Sequence, residues 1–335
     1  MTNNISFWIK SLRVIPQVSK EEWVTLDTVS RWLVASRSAV FIMTAISCAI
    51  GGLLAYSIAG VFNGINFVVC LIGLVFAHAA NNLLNDLIDY KKGIDSNNYY
   101  RTLYGPQIVE RGYTSKNTFY MYILVPLLIA IACGVFLVLR TDITTLYLMI
   151  VGVLFLVFYT WPLKYIGLGE PTVVMVWGPL MIGGAFYVTS NGLWNWDVLS
   201  LSLLYAIGPT SVIFGKHIDK SDKDMEKRVY TIPVILGEKV SRYTTLFIWF
   251  LQYVVVGYFI YKGVLGISLL LVLLAIPKYI ETIKVFLEPK PSQPDPNRPT
   301  TWPLYFASFA FVYNRRFSIF FLVGLILQVI ISKVV

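Results

Sequence analysis

Residues 65–95 read INFVVCLIGLVFAHAANNLLNDLIDYKKGID, and this stretch decides what kind of fold the chain can adopt. Its first half is an apolar run, whereas its second half collects asparagine, aspartate and lysine. An apolar run of about 20 residues crosses the hydrocarbon core of a bilayer as a helix. The stretch therefore predicts a membrane-spanning helix that ends in an acidic motif at the membrane surface.

The composition of the whole chain supports a membrane protein. Of the 335 residues, 57% are apolar and only 13% are charged, with a mean hydropathy of +0.68. A soluble domain has about 25% charged residues. Nine stretches are long and apolar enough to be predicted as spans. Their approximate bounds are 38–60, 65–85, 118–139, 143–160, 171–190, 197–215, 243–262, 264–286 and 316–333.

These spans predict an all-α fold, a polytopic membrane bundle of about nine transmembrane helices around a central cavity. We assign residues 35–335 to this bundle. Residues 1–34 are polar and contain three tryptophans, as is typical of a cytoplasmic segment at the membrane interface. Residues 288–303 are rich in proline and predict a loop.

The distribution of basic residues predicts which side of the membrane each loop occupies. With nine spans, the long loops and the N-terminus share one side, and 24 of the 27 Lys and Arg residues fall there. Only Arg140, Lys262 and Lys333 fall on the other side. Because Lys and Arg are retained in the cytoplasm, we expect a multi-pass protein of the cell membrane with cytoplasmic long loops. This asymmetry explains most of the net charge of +9 without a nucleic-acid partner.

The first acidic motif follows the second predicted span. If the helix continues, Asn82, Asp86 and Asp89 lie at positions i, i+4 and i+7 on one face, with Asn85 beside them. Two carboxylates and an amide oxygen can bind a hard divalent cation such as Mg²⁺. The alternative is an ordinary polar helix end at the membrane surface.

Basic residues accompany this motif. Lys91 and Arg101 follow it closely and are candidates to bind a diphosphate.

The second acidic motif follows the sixth predicted span, where residues 215–237 read GKHIDKSDKDMEKRVYTIPVILG. Alternating acids and bases of this kind also occur in solvated loops. Both motifs, however, follow even-numbered spans and therefore face the same side. From this segment we predict Asp219, in preference to Asp222, and Asp224 as metal ligands, and Lys220 and Arg228 as diphosphate-binding residues.

Two facing aspartate clusters with nearby bases suit one chemistry. Mg²⁺ held by Asp86, Asp89, Asp219 and Asp224 would bridge a diphosphate and neutralise its charge as it leaves. An apolar cavity would hold a long tail and shield the allylic cation from water. The two histidines, His78 and His217, do not suggest a zinc site.

Three further observations bear on catalysis. We expect His78 to be a satisfied polar group within the bundle and His217 to have a structural or substrate-contacting role. The three cysteines, Cys48, Cys70 and Cys133, lie in apolar runs and are expected to be buried. Attack of an acceptor on an allylic cation needs no strong covalent nucleophile from the protein, which agrees with the expected burial of the cysteines.

At these residues the chain resembles the UbiA superfamily of intramembrane prenyltransferases, over about residues 30–335. The pattern Asn82-xxx-Asp86-xx-Asp89-xxx-Gly93-x-Asp95 resembles the family's first Asp-rich motif. It is closest to the branch that prenylates 1,4-dihydroxy-2-naphthoate for menaquinone biosynthesis. Residues 159–170, YTWPLKYIGLGE, resemble that branch's loop after the fourth helix. This resemblance implies that Tyr159 and Lys164 help to hold the diphosphate.

Residues 219–237 resemble the second motif of the superfamily, but they depart from the pattern of that branch. Lys216 and His217 stand where the branch usually has two asparagines. Asp219 and Lys220 stand where it has an Arg-Asp pair. One acidic position is thus shifted by a residue, which leaves the identity of the acceptor open.

The sequence therefore favours a Mg²⁺-dependent prenyltransferase in contact with membrane lipids. It would transfer a prenyl group from a polyprenyl diphosphate to a small acceptor, an aromatic quinone precursor such as dihydroxynaphthoate. Prenyl transfer to a non-quinone lipid acceptor is the first alternative. A transporter is a second, although its ionisable groups would be expected near the membrane midplane. The third is a catalytically silent scaffold, against which the intact first motif argues.

Overall fold

The computed structural model describes residues 4–94, 105–294, 296, 298 and 301–334, and the side chains of these residues up to Ile331. Three short helices cover the N-terminal segment, namely α1 (Asn4–Arg13), α2 (Lys20–Thr25) and α3 (Thr28–Ala35). They pack through Trp23 and Val34 against the ends of the helices that follow.

The remaining helices form the bundle and its connections. They are α4 (Phe41–Ala59), α5 (Gly64–Lys91), α6 (Lys116–Arg140), α7 (Ile143–Phe158), α8 (Gly169–Thr189), α9 (Trp196–Asp219), α10 (Ser221–Glu226), α11 (Ile232–Leu236), α12 (Glu238–Tyr261), α13 (Ile276–Leu287) and α14 (Tyr305–Val334). Short 3₁₀ turns occur at Ser38–Val40 and Leu163–Ile166, and a longer one, Ile267–Ala275, leads into α13. In the middle of α8, Val176–Gly183 is wound as a π-helix around Pro179.

Each of the nine predicted spans coincides with helical structure, so the prediction of an all-α polytopic membrane bundle is confirmed. Within the described ranges, seven helices are long and apolar enough to cross a membrane. The fourth predicted span is the shorter apolar helix Ile143–Phe158. The eighth consists of the 3₁₀ turn Ile267–Ala275 and the helix Ile276–Leu287.

Two helices extend furthest beyond their predicted apolar spans. The second predicted span was 65–85, but α5 continues to Lys91 and therefore carries the first acidic motif in helical form. The ninth predicted span was 316–333, but α14 begins at Tyr305. Asn314, Arg315 and Arg316, in the third turn of α14, interrupt the apolar pattern and hid the start of the helix from it.

Aromatic side chains fill the core between α9, α12, α13 and α14. The Trp249 ring lies 4.7 Å from the Tyr313 ring and 4.9 Å from the Phe286 ring, centroid to centroid. Its indole Nε1 donates a hydrogen bond to Ser211 Oγ at 2.8 Å. This buried hydrogen bond satisfies the polar atom of tryptophan inside an apolar core.

The ends of the helices form two polar layers, and the layer without the acidic motifs is tied together by Asn66. This buried side chain donates from Nδ2 to Val188 O at 2.9 Å and accepts from Arg140 Nε at 2.9 Å. Asn63 Nδ2 donates to Asn191 Oδ1 at 2.9 Å in the same layer. These contacts join the ends of α5, α6 and α8. We call the layer at the other ends of the helices, which holds the four predicted aspartates, the acidic end.

We expect Asn66→Ala to lower the free energy of unfolding by about 1 kcal/mol or more, because it removes the two side-chain hydrogen bonds that join α5 to Val188 and Arg140. Ile65→Ala is the matched control, since Ile65 is adjacent and 57% exposed. Thermal unfolding in detergent micelles measures both. Equal stability of the two variants would contradict the role given to Asn66.

Candidate active site

A cavity of about 890 Å³ lies inside the bundle and opens at the acidic end. Its walls are mainly apolar, and its charged side chains lie towards the acidic end. Three residues predicted to bind substrate line this cavity, namely Asn82, Asn85 and Tyr159. Among the described residues, the four predicted aspartates lie just outside the cavity lining.

Asp86 is connected to the cavity through Arg37. The Arg37 Nη1 lies 3.0 Å from Asp86 Oδ1, and both side chains are nearly buried. Arg37 Nη2 donates to Asn82 O at 3.0 Å, and Asn82 Nδ2 donates to Ser36 O at 2.9 Å. Arg37 adopts a left-handed backbone conformation with φ of 56° just before α4. The start of α4 is therefore fixed to the acidic face of α5.

Asp89 is connected to the cavity through Asn85. Lys164 Nζ lies 3.0 and 3.3 Å from the two carboxylate oxygens of Asp89, and this ion pair is buried. Asn85 Nδ2 donates to Asp89 Oδ2 at 3.3 Å. Thr160 Oγ1 donates to Asn85 Oδ1 at 3.1 Å. These contacts attach the loop after α7, which contains Lys164, to the first motif.

The second motif forms the short helix α10 and contains a buried ion pair. Lys220 Nζ lies 2.7 Å from Asp224 Oδ1, and both side chains are more than nine-tenths buried. The other oxygen, Asp224 Oδ2, is buried and accepts no hydrogen bond from the described residues. One carboxylate oxygen of this motif therefore remains available to a cation.

Lys227 joins the two acidic motifs directly. Its Nζ donates to Gly93 O at 2.8 Å and to Ile94 O at 2.7 Å, at the end of the first motif. The prediction that both motifs lie on the same side of the bundle is therefore confirmed. The cation–π contact of Lys92 with Trp161, at 4.7 Å, attaches the loop after α7 to the same region.

Asp219 requires a revision of the sequence-based assignment. Its side chain is fully buried, and its two oxygens accept the backbone N–H groups of Phe306 at 3.0 Å and Ala307 at 2.9 Å. Lys290 Nζ lies 3.3 Å from the same carboxylate. Asp219 therefore caps the N-terminus of α14, where free N–H groups favour a negative charge. Because both carboxylate oxygens are engaged in this way, we propose that Asp219 caps α14 in place of its predicted role as a metal ligand.

The two histidines have structural partners. His217 Nδ1 lies 2.6 Å from Glu170 Oε1 in a fully buried pair, and Glu170 Oε2 accepts the Ile232 N–H at 3.4 Å. His78 Nδ1 bonds Thr44 Oγ1 at 2.7 Å, which confirms it as a satisfied polar group, and its ring lines the cavity.

The remaining predicted binding residues lie at the periphery or outside the described residues. Lys91 is exposed, with its Nζ 5.6 Å from the centre of the Tyr120 ring. Arg228 is also exposed. Arg101 and Asp95 lie outside the described residues. Arg37 and Lys290 also lie at the site. The sequence did not predict them, because their partners, Asp86 and Asp219, are distant along the chain.

The cysteine predictions hold in part. Cys48 and Cys70 are buried, whereas Cys133 is partly exposed and lines the cavity, and all three are free thiols.

Comparison with known proteins identifies the family. The UbiA prenyltransferase family matches residues 44–307, which include both acidic motifs and most of the cavity wall. The chain belongs to the UbiA prenyltransferase family. It is therefore a membrane-embedded prenyltransferase by family, which confirms the resemblance seen in the sequence.

Relatives within the family include a 2-carboxy-1,4-naphthoquinone phytyltransferase from Synechocystis sp. It is 25% identical over 63% of this chain and 67% of its own length. The UbiA prenyltransferase domain-containing protein 1 of Homo sapiens is 25% identical over 68% of this chain and 67% of its own.

Solved structures show the same fold. A UbiA homologue from Aeropyrum pernix K1 has a TM-score of 0.61 at 17% identity, covering 86% of this chain and 97% of its own. A homologue from Archaeoglobus fulgidus, bound to DMAPP and Mg²⁺, has a TM-score of 0.53 at 12% identity, covering 87% of this chain and 98% of its own.

The capping role of Asp219 predicts a difference between two substitutions. Asp219→Ala should lower the free energy of unfolding by about 1–2 kcal/mol, because the α14 N-terminus loses its acceptor. Asp219→Asn should lose less, since asparagine also accepts from helix N–H groups. Thermal unfolding without added divalent metal measures both variants. If Asp219→Ala lowered stability only when Mg²⁺ is present, the result would support the predicted metal-ligand role instead.

Proposed function

We propose that this chain transfers a prenyl group from a polyprenyl diphosphate to an aromatic quinone precursor. The observation that carries the proposal is the meeting of the two acidic motifs, through Lys227, at the mouth of a deep apolar cavity. Such a site offers polar groups for a diphosphate and an apolar space for its tail. The naphthoquinone-specific relative supports a quinone precursor as acceptor. We further propose that the acidic end faces the cytoplasm of a cell membrane, because it carries most of the basic residues.

The residues at the acidic end fit Mg²⁺ in chemistry, although no three His, Cys, Asp or Glu side chains of the described residues form a ready-made metal cluster. The buried Asp224 Oδ2 and Asn81 Oδ1 accept no hydrogen bond from described residues. Oxygens of this kind are the ligands that Mg²⁺ prefers, and it usually completes its shell with phosphate oxygens and water. Asp86, Asp89 and Asp224 would hold the ion together with the diphosphate. Mg²⁺ bound there would neutralise the charge that develops on the departing diphosphate.

The internal ion pairs explain how the chain handles this charge. Asp86, Asp89 and Asp224 each have a basic partner, respectively Arg37, Lys164 and Lys220. In the proposed site these three cations would bind the diphosphate oxygens in addition to the carboxylates. We therefore expect metal and diphosphate to bind together more tightly than either binds alone.

The cavity provides the conditions for the bond-breaking step. As the allylic C–O bond breaks, the diphosphate leaves with the electron pair and an allylic cation remains in the cavity. The apolar walls exclude water, and the ring of Trp177, which lines the cavity beside His78, offers a π face to a cation. A ring carbon of the acceptor then attacks the cation, and the ring loses a proton or a carboxyl group.

The purified protein should transfer a labelled prenyl group to dihydroxynaphthoate only when Mg²⁺ is present. Asp86→Ala and Asp224→Ala should each lower kcat/KM by roughly 100-fold or more, because each removes a group that holds the charged substrate. Glu226→Ala is the matched control, since Glu226 lies on the same helix as Asp224 but is exposed. Product mass spectrometry measures the transfer, and full activity in both variants would refute the metal assignment.

A further inference from the structure

The first helix of the chain, α1, is fixed to the bundle along one side. On this side, Trp8 Nε1 donates a hydrogen bond to Ser30 Oγ of α3 at 3.0 Å. Ser11 is buried, and its carbonyl oxygen accepts a hydrogen bond from Ser38 Oγ at 2.9 Å. These contacts hold α1 against α3 and the turn that leads into α4.

The other side of α1 is exposed and amphipathic. Ile5, Ile9 and Leu12 lie at positions i, i+4 and i+7, and their side chains are 58%, 46% and 48% exposed. We call these three residues the apolar stripe. Lys10 and Arg13 are exposed on the flank beside it, which we call the basic flank. Because α1 contains no acidic residue, its exposed side combines apolar surface with uncompensated positive charge.

The position of α1 is at the boundary of the membrane. Ser38, which bonds to α1, is the first residue of the apolar segment Ser38–Ala59, and this segment is long enough to cross a membrane. Its 22 residues extend over about 33 Å as a helix, close to the thickness of the hydrocarbon core. Ile42, in the first turn of α4, is 51% exposed and begins the surface that faces lipid. The exposed side of α1 therefore lies level with the lipid headgroups.

We propose that α1 is an interfacial helix that binds anionic lipid headgroups. The apolar stripe enters the boundary between headgroups and acyl chains, as amphipathic helices at membrane surfaces do. Lys10 and Arg13 bind the negatively charged oxygens of the headgroups beside it. A zwitterionic bilayer offers the stripe the same apolar environment but has no net negative charge for the basic flank. Recognition of anionic lipid thus depends on the basic flank.

Binding of α1 to lipid also has a consequence for the cavity. Ile15, two residues after the end of α1, lines the cavity. Ser38, the partner of Ser11, follows Arg37, which lines the same cavity and pairs with Asp86. An α1 helix held at the lipid surface therefore fixes Ile15 as part of the cavity wall. This inference does not depend on which reaction the cavity carries out.

Spin labels on α1 test this inference in the full-length protein, reconstituted into lipid nanodiscs. Ile9→Cys carries a label on the apolar stripe and Ser6→Cys carries one beside the basic flank. Both are made in a Cys133→Ala background, because Cys133 is the partly exposed native cysteine. In discs that contain phosphatidylglycerol, oxygen, which concentrates in the bilayer, should relax the Ile9 label more than a water-soluble nickel complex does. The order should be reversed at Ser6.

The contribution of anionic lipid is measured by removing either the lipid charge or the protein charge. In discs of phosphatidylcholine alone, access of the nickel complex to the Ile9 label should rise by roughly fivefold or more. The same rise is expected for the double variant Lys10→Gln, Arg13→Gln in discs with phosphatidylglycerol. Each basic residue near an anionic surface contributes about this factor to binding. Lys20→Gln is the matched control and should leave access unchanged, since Lys20 is exposed on α2, outside α1.

The possible contrary results are distinct from one another. A label at Ile9 that the nickel complex reaches equally in both kinds of disc would show that the stripe faces water. A label that neither reagent reaches would show that protein covers it. Either result would overturn the inference, as would equal oxygen access with and without phosphatidylglycerol.

A label at Ile15 tests the link between α1 and the cavity. The label of Ile15→Cys should become more mobile in phosphatidylcholine discs, because α1 no longer holds this residue in place. Equal mobility in both kinds of disc would overturn this link. None of these measurements requires prenyl transfer, so their outcome is independent of the proposed function.

Discussion

The arrangement of the acidic end depends on the pairing of each buried aspartate with a basic side chain. A carboxylate at the end of a membrane helix is costly unless a partner compensates its charge. The four pairs are Asp86 with Arg37, Asp89 with Lys164, Asp224 with Lys220 and Asp219 with Lys290. Three of them join parts of the chain that are distant in sequence, so the same contacts that neutralise charge also hold the ends of the helices together.

This pairing has a consequence for substrate binding. Because Arg37, Lys164 and Lys220 already compensate the carboxylates, the acidic end without substrate has little excess negative charge to attract a metal ion. A diphosphate supplies further anionic oxygens, and the same three cations can then bind to them. The site is therefore organised to receive metal and diphosphate together, at the mouth of the cavity that takes the tail.

Much of the architecture could be predicted from the sequence. Hydropathy located all nine helical segments, because apolar length is a direct physical requirement of a span. The helical period placed Asn82, Asp86 and Asp89 on one face, and the alternation of the spans placed both motifs at one end. These features are local or additive along the chain, so a single sequence is enough to predict them.

Features that depend on distant partners could not be predicted. The alternating charges of residues 219–228 do not reveal that Asp224 is buried while Asp222 is exposed. The sequence pattern around Asp219 is that of a metal ligand. Its capping role could not be predicted, because it depends on α14 beginning at Tyr305, 86 positions later in the chain. The spacing of Lys278 and Glu281 does not place them at the cavity, because that depends on how α13 packs against α14.

Binding of Mn²⁺, followed by electron paramagnetic resonance, tests the central claim most directly. Mn²⁺ substitutes for Mg²⁺ at oxygen sites, and a non-hydrolysable prenyl thiodiphosphate provides the anionic partner. Mn²⁺ should bind weakly to the protein alone and at least about tenfold more tightly with the analogue present, because the paired aspartates need the diphosphate to complete the site. Equally tight Mn²⁺ binding with and without the analogue would contradict this account.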